Sequence, residues 1–261
     1  LNSVAPLEVL CSRVLWSGLF SLALVALMGK LPELARAVTT PKTAFGLLAS
    51  GCCVTINWGS YIWAVAHDQA LDASLAYYAL PLVTLALGMV LLHERLTPRQ
   101  SAAVAIVVLA VLLLTLDRGR LPWILLALPI SFGVYGYLRK LIVVDALVGV
   151  TVEALLLAPF AALFLASQPG GGALVTSPLS IKLLLLLCGP ITTIPLVLFT
   201  YGARRLTMTS LGLLQYLNPT LQMLTAVLLL GEPLGHVQSL CFLLIWLGLA
   251  LYSLPVRRQA G

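Results

Sequence analysis

The chain has 261 residues, of which 61% are hydrophobic and 9% charged, with a net charge of +6. A soluble domain carries roughly a quarter charged residues and could not hide so much apolar side-chain surface, so a soluble globular protein is excluded and lipid is the expected solvent. Nucleic-acid binding is not expected either, because no basic patch with interleaved aromatics stands outside the apolar runs.

Turn residues and charges divide the chain into nine apolar segments, at about 7–29, 42–66, 70–92, 98–116, 121–142, 146–167, 180–203, 206–230 and 234–255. Each is close to the roughly 20 residues that a spanning helix needs. The expected fold is therefore an all-α integral membrane protein with nine transmembrane helices.

The first segment carries Arg13, about two turns in, with Trp16 below it. The second offers Asn57 and Tyr61 at i, i+4 spacing, with Trp58 adjacent, and Trp63 toward an interface. The third contains Tyr78 and Pro81, and a proline within a helix frees the carbonyl four residues back, here on Tyr77. The fifth places Tyr135 and Tyr137 beside Gly133 and Gly136, and Trp123 near its start. The sixth carries Glu153, again about two turns in. The seventh, after a Pro/Gly/Ser-rich connection at Ser167–Ser177, brings Thr192, Thr193 and Thr200. The eighth presents Gln215, Asn218, Gln222 and Thr225 on one helical face, with Pro219 among them.

A charge inside hydrocarbon costs about 2.5–3.5 kcal/mol on insertion scales, so Arg13 and Glu153 demand an explanation. They either face a central cavity and hold charged groups of a substrate, or form a structural ion pair, or snorkel to opposite surfaces. The polar stripe of the eighth segment must face protein or a water-filled cavity; cavity lining is favoured over interhelical hydrogen bonds alone. Pro81 and Pro219 are expected to kink moving helices, against the alternative of tolerated membrane prolines.

Cys11, Cys52, Cys53, Cys188 and Cys241 all lie inside apolar runs without metal-ligand spacing. Structural disulfides, a metal site and a cofactor are not expected. No charged segment with a cleavage site opens the chain, so no secretory signal peptide is expected.

Nine spans put the two chain ends on opposite sides. The side of the C-terminus collects Lys30, Arg36, Lys42, Arg95, Arg99, Arg139, Lys140, Arg204, Arg205, Arg257 and Arg258, or 11 of the 15 Lys and Arg, against Arg13, Arg118, Arg120 and Lys182 elsewhere. The C-terminus is accordingly expected in the cytoplasm.

An internal repeat is visible at an offset of 138: Gly51 matches Gly189, Thr55 matches Thr193, Tyr78 matches Tyr216, Pro81 matches Pro219, Glu94 matches Glu232, Leu96 matches Leu234, Gln100 matches Gln238 and Ser101 matches Ser239. The offset spans five helices, so the second copy runs in the opposite direction through the membrane. Inverted-topology repeats are a transporter plan, with the substrate site at the midplane between the halves. A five-plus-five scheme calls for one helix before Leu1, and a chain that begins without Met is expected to have sequence upstream.

Two rival classes compete with a transporter. An intramembrane enzyme would need a nucleophile, an acid/base pair or metal ligands, but His67, His93 and His236 lie at helix ends, far apart in sequence, and there is no HExxH, GxSxG or P-loop. No catalytic residue is therefore assigned. A non-transporting subunit or scaffold remains the alternative.

The residues resemble a known family over nearly the whole chain. The resemblance is carried by Ser12-Arg13-Val14-Leu15-Trp16-Ser17, Asn57-Trp58, Ile62-Trp63-Ala64-Val65, Ala73-Ser74-Leu75-Ala76-Tyr77, Pro81-Leu82-Val83 and Leu87-Gly88-Met89. It continues in Glu94-Arg95, Tyr135-Gly136, Arg139-Lys140, Thr192-Thr193-Ile194-Pro195-Leu196, Ser210-Leu211-Gly212, Gln215-Tyr216, Pro219-Thr220 and Gly231-Glu232. In these the chain is similar to the EamA-domain transporters of the drug/metabolite transporter superfamily, and most closely to RarD-like proteins. The resemblance implies ten helices in two inverted EamA repeats, here residues 1–118 and 119–261, around a central pocket. It implies a bacterial inner-membrane permease exporting amino acids, other metabolites or drugs such as chloramphenicol by alternating access. His93 departs from the family's Gly-Glu turn, so the first turn is expected to differ from the second at Gly231-Glu232.

The expected partners are a small-molecule substrate and the lipid bilayer, with oligomeric state left open. The expected substrate-binding residues are Arg13, Asn57, Trp58, Tyr61, Tyr78, Tyr135, Glu153, Thr193, Gln215, Asn218 and Gln222. Arg13 and Glu153 are assigned the substrate's charged groups.

Overall fold

A computed structural model describes residues 4–67, 70–118, 123–218, 220–221 and 236–253, and every regular element among them is helical. The first half supplies α1 (Pro6–Leu27), α2 (Leu31–Thr39), α3 (Pro41–Ala66), α4 (Ala70–Leu91) and α5 (Pro98–Arg118). The second supplies α6 (Ile124–Leu141), α7 (Ala146–Ala166), α8 (Ala173–Thr176), α9 (Leu179–Ala203), α10 (Met208–Leu214) and α11 (His236–Ser253).

Local signals set the helix starts. Proline occupies the first turn of α1, α2 and α3, where its missing N–H has no intrahelical partner to lose. Asp145 caps α7 by accepting from the N–H groups of Leu147 and Val148 at 3.1 and 3.3 Å, and Thr207 caps α10 through Ser210 N–H at 3.0 Å.

α1, α7 and α9 are each long and apolar enough to cross a membrane. α3 is longer than any of them at 26 residues, about 39 Å at 1.5 Å per residue. Its Ser50, Thr55, Asn57, Ser60 and Tyr61 dilute its hydropathy. Leu183, Leu187, Ile194 and Leu198 of α9 stand exposed at four- and seven-residue spacing, a stripe suited to lipid.

Two elements depart from the sequence expectation. The connection between the first two segments contains α2, a nine-residue amphipathic helix. Glu33 and Arg36 mask it as a loop, yet Leu34 and Ala37 pack against Leu47, Leu147 and Val148. The Gly-rich connection folds as a 3-10 turn at Pro169–Gly171 followed by α8. The eighth expected segment is described as α10, a turn at Gln215 and Tyr216, and helical residues at 217–218 and 220–221. Pro219, Gln222, Thr225, Gly231 and Glu232 lie outside the described residues, as does the side chain of Tyr78.

α1 packs on α7 and α9, α3 on α6 and α7, α4 on α6 and α10, and α5 on α11. Pro41 of α3 and Leu179 of α9 open their helices at the offset of 138. Gly51 of α3 brings that helix against the backbone of Glu153 on α7, and Gly189 of α9 does the same against Trp16 on α1; a methyl group at Gly189 would lie 2.7 Å from the Trp16 carbonyl oxygen.

Four loops meet at one end of the bundle. Lys30 Nζ pairs with Asp145 at 2.9 Å, Lys140 Nζ donates to Leu206 O, and Arg204 donates to Val144 O. Glu94 accepts from the start of α10, at 2.7 Å from Met208 N and 3.0 Å from Thr209 N. At the other end Glu8 accepts from Ala173 N at 2.8 Å, and Trp63 packs on Trp123.

Candidate functional site

Side chains from both halves of the chain line a cavity of about 460 Å³. α1 contributes Arg13, α3 contributes Asn57, Trp58 and Tyr61, and α4 contributes Tyr77 and Leu80. Phe132 comes from α6, Ile191, Thr192, Pro195, Leu196 and Phe199 from α9, and Gln215 and Asn218 from the end of α10 and just beyond. The spacings within α3 and α9 are those of one helical face.

Arg13 is the one cation among the described lining residues. Its guanidinium carbon sits 4.5 Å from the centroid of the Trp58 ring, and its Nε donates to Thr192 Oγ1 at 2.8 Å. A desolvated cation on an indole face gains about 2 kcal/mol, which helps to hold a charge inside the bundle. Gln215 is oriented from α4: its Oε1 accepts from Thr84 Oγ1 at 3.0 Å, while its Nε2 is buried without a hydrogen-bond partner. Asn57 ties the wall together, donating to Leu128 O at 2.8 Å and to Ser131 Oγ at 3.2 Å on α6. Tyr61 and Tyr77 meet edge to face at 5.9 Å.

Pro81 lies buried inside α4, which continues as helix across it. Gly212 of α10 packs on its carbonyl, where a methyl group would come within 2.7 Å. The two helices can thus approach closely beside the cavity.

Glu153 is placed elsewhere. It is buried at 3% exposure and engages Arg139, itself wholly buried, at 3.4 Å. Ser50 Oγ donates to it at 2.5 Å and Tyr135 OH at 3.4 Å, and Tyr135 OH also contacts Thr200 Oγ1 at 3.1 Å. Arg13 and Glu153 therefore do not pair with each other. Phe132 and Phe199 of the cavity wall pack toward Tyr135 of this network, with Phe132 to Phe199 at 4.8 Å and Tyr135 to Phe199 at 6.0 Å between centroids. A smaller cavity of about 20 Å³, the size that holds one water, touches Glu153, Ser17 and Thr193 and shares Trp58, Thr192 and Leu196 with the larger one.

Of the expected residues, Arg13, Asn57, Trp58, Tyr61, Gln215 and Asn218 come together around the main cavity. Thr193 and Glu153 border the small one, and Tyr135 lies in the buried network. Tyr77, Phe132 and Phe199 were not expected in the lining. Tyr77 lies one turn before Pro81 on α4, and a ring within an apolar run gives no sign that it faces a cavity. Arg139 belongs inside the bundle and not with the loop charges; Tyr135 one turn before it and an intramembrane Glu153 in need of a counter-charge are the sequence signals for it.

The EamA-like transporter family profile matches residues 1–116. An uncharacterized transporter of Pseudomonas aeruginosa is 41% identical over 99% of this chain and 88% of its own length. Protein RarD of Escherichia coli is 38% identical over 94% of this chain and 83% of its own. A protein of Pseudomonas aeruginosa named chloramphenicol-sensitive protein RarD is 32% identical over 96% of this chain and 85% of its own. A crystal structure superposes with a TM-score of 0.73, covering 99% of this chain and 91% of that one at 21% identity, which shows a shared fold. The apolar helices and these relatives make the chain a multi-pass membrane transporter, and it belongs to the EamA-like family as a RarD-like member.

Proposed function

We propose that this chain is a permease of the bacterial inner membrane that exports small amphipathic metabolites, such as amino acids or related compounds and amphenicol-type drugs, by alternating access. The observation that carries the reading is the cavity of about 460 Å³ walled by both halves of the chain, within the usual range for small-molecule sites. Arg13, Trp58 and Tyr61 come from residues 1–118, and Phe132, Gln215 and Asn218 from residues 119–261, taken as two inverted EamA repeats. The sequence repeat at an offset of 138, with Pro41 and Leu179 opening matching helices, supports that division. The C-terminus is cytoplasmic in this reading, which puts the loops around Lys30, Glu94, Asp145 and Arg204 on the cytoplasmic side.

The ring layer of Phe132, Phe199 and Tyr135 and the Glu153 network beyond it close the cytoplasmic half. Hydrogen bonds from Ser50 to Glu153 and from the start of α10 to Glu94 join one half to the other there. Rocking of the halves breaks these bonds, and Pro81 and Pro219 supply bends in the moving helices. Energy coupling is not assigned to any residue.

The test is a flux screen in liposomes containing the full chain, across amino acids, their derivatives and amphenicols, with and without a pH gradient. Gln215→Ala and Asn218→Ala are each expected to lower flux of a transported compound several-fold. Unchanged flux in both variants would displace the site from this cavity, and no protein-dependent flux of any compound would favour a non-transporting subunit.

A further inference from the structure

The electrostatics of the cavity are one-sided. Arg13 brings a positive charge about two turns inside α1, and no carboxylate among the described residues pairs with it or lines the cavity beside it. The acid that sequence spacing offered as its counterpart, Glu153, is engaged by Arg139 and Ser50 behind the ring layer. The face of Trp58 is occupied by the guanidinium itself.

Gln215 places a neutral amide in the same wall, 3.0 Å from the Thr84 hydroxyl. A cation inside this cavity calls for an acceptor carrying negative charge. A single cation matches one negative charge, and a dianion would leave the second uncompensated in a low-dielectric site. Phe132, Phe199 and Leu196 supply the apolar part of the remaining surface, beside the polar groups of Asn57, Tyr61 and Asn218.

We propose that the substrate is a small monoanionic carboxylate with an aromatic or branched apolar body, recognised by Arg13 and Gln215 without a compensating ammonium on the ligand. This rests on the permease reading above and narrows it: a zwitterionic amino acid brings an ammonium for which the described cavity has no carboxylate, and a neutral drug leaves Arg13 uncompensated. The loaded site is neutral and the empty site is charged, so transport moves net charge. At equilibrium a potential of about 100 mV accumulates a monoanion roughly 50-fold on the positive side.

Three compounds of nearly one shape separate the alternatives: phenyllactate, phenylalanine and phenyllactamide, which carry a single negative charge, a zwitterion and no charge. Uptake is measured in liposomes containing the full chain, with the membrane potential set by potassium and valinomycin. The expected result is phenyllactate uptake at least tenfold above the other two, increased by an inside-positive potential. Arg13→Gln is expected to remove that preference at least tenfold, and Arg13→Lys to retain part of it, with helicity and gel-filtration profile checked for both. Potential dependence in the unaltered protein provides a readout that needs no variant to fold. Preferred uptake of phenylalanine or phenyllactamide, or uptake of phenyllactate indifferent to potential, overturns the monoanion while leaving the permease standing. Absence of flux for these and for the wider screen overturns the permease itself.

Discussion

Arg139 of α6 and Glu153 of α7 face each other at 3.4 Å with 0% and 3% of their side chains exposed, and neither reaches the main cavity. A buried pair of this kind is worth little against an apolar replacement but is damaging to break, because the survivor is left as an unpaired charge. Glu153→Gln is expected to lower stability by about 3–5 kcal/mol. The double variant Arg139→Met/Glu153→Leu should recover most of that loss. Thermal unfolding in detergent micelles is the measurement. A double variant no more stable than the single one would mean that the hydrogen bonds from Ser50 and Tyr135, rather than the charge pairing, hold α3, α6 and α7 together.

Glu94 acts at the end of the bundle where the loops meet. Its carboxylate accepts from Met208 N, Thr209 N and Thr209 Oγ1, the last at 2.7 Å, and so caps α10 from another part of the chain. Gly88 makes this possible, since a methyl group there would lie 2.9 Å from the Glu94 carboxylate and 2.7 Å from Met208. Partial burial pushes the carboxyl up, but the Thr209 and Met208 donors and the nearby Lys140 outweigh it and leave it below the ordinary glutamate value. A depressed pKa means stabilisation that is present above the ordinary value of about 4.5 and lost as the pH falls through the folded-state value. Glu94→Ala is expected to cost about 1–2 kcal/mol at neutral pH. Melting curves of the two proteins should converge as the pH is lowered toward 3; a gap that stays constant with pH would assign the loss to packing.

Much of this arrangement is readable from sequence, for physical reasons that also mark where reading stops. The long apolar runs locate α1, α7 and α9 because lipid demands uninterrupted hydrocarbon, and the first-turn prolines locate the starts of α1 and α3. The polar residues Arg13, Asn57, Gln215 and Asn218 stand out because hydrocarbon tolerates them only against protein or water. Rings do not stand out in the same way: Phe132 and Phe199 are as welcome in lipid as in a cavity wall, and only the packed structure separates the two. Arg139 was hidden by its neighbour Lys140, since a pair of cations at a helix end ordinarily marks a loop. α2 was hidden by Glu33 and Arg36, which lie on a helix too short to read as a span.

The turn between α4 and α5 carries a removable strain. His93 adopts φ 53, the left-handed conformation, and it is exposed. A side chain there costs roughly 1–2 kcal/mol relative to glycine, less the extra chain entropy that glycine loses on folding. His93→Gly is therefore expected to raise stability by about 0.5–1 kcal/mol and His93→Val to lower it, since a β-branched residue tolerates positive φ least. Transport should be unaffected by His93→Gly, because the residue does not line the cavity. A fall in melting temperature for the glycine variant would show that the histidine ring contributes more than its backbone strain removes.

Gly149 offers a way to disturb the buried pair without touching either charge. The guanidinium of Arg139 lies directly against its Cα, in the space a methyl group would fill, and Arg139 Nη2 reaches Ala146 O one turn earlier on α7 at 3.4 Å. In an exposed helix, alanine is better than glycine by about 1 kcal/mol, so propensity alone predicts that Gly149→Ala stabilises α7. Steric exclusion predicts the opposite, because the displaced guanidinium loses Glu153 and the carbonyl while remaining buried. The second effect is larger, since breaking a buried pair costs about 3–5 kcal/mol, and the variant is expected to lose at least 2 kcal/mol net. The size of the loss should shrink when Gly149→Ala is made in the Arg139→Met/Glu153→Leu background, where no guanidinium competes for the space. Thermal unfolding of the four proteins completes the cycle, and a loss of the same size in both backgrounds would place the clash on the helix backbone instead of on Arg139.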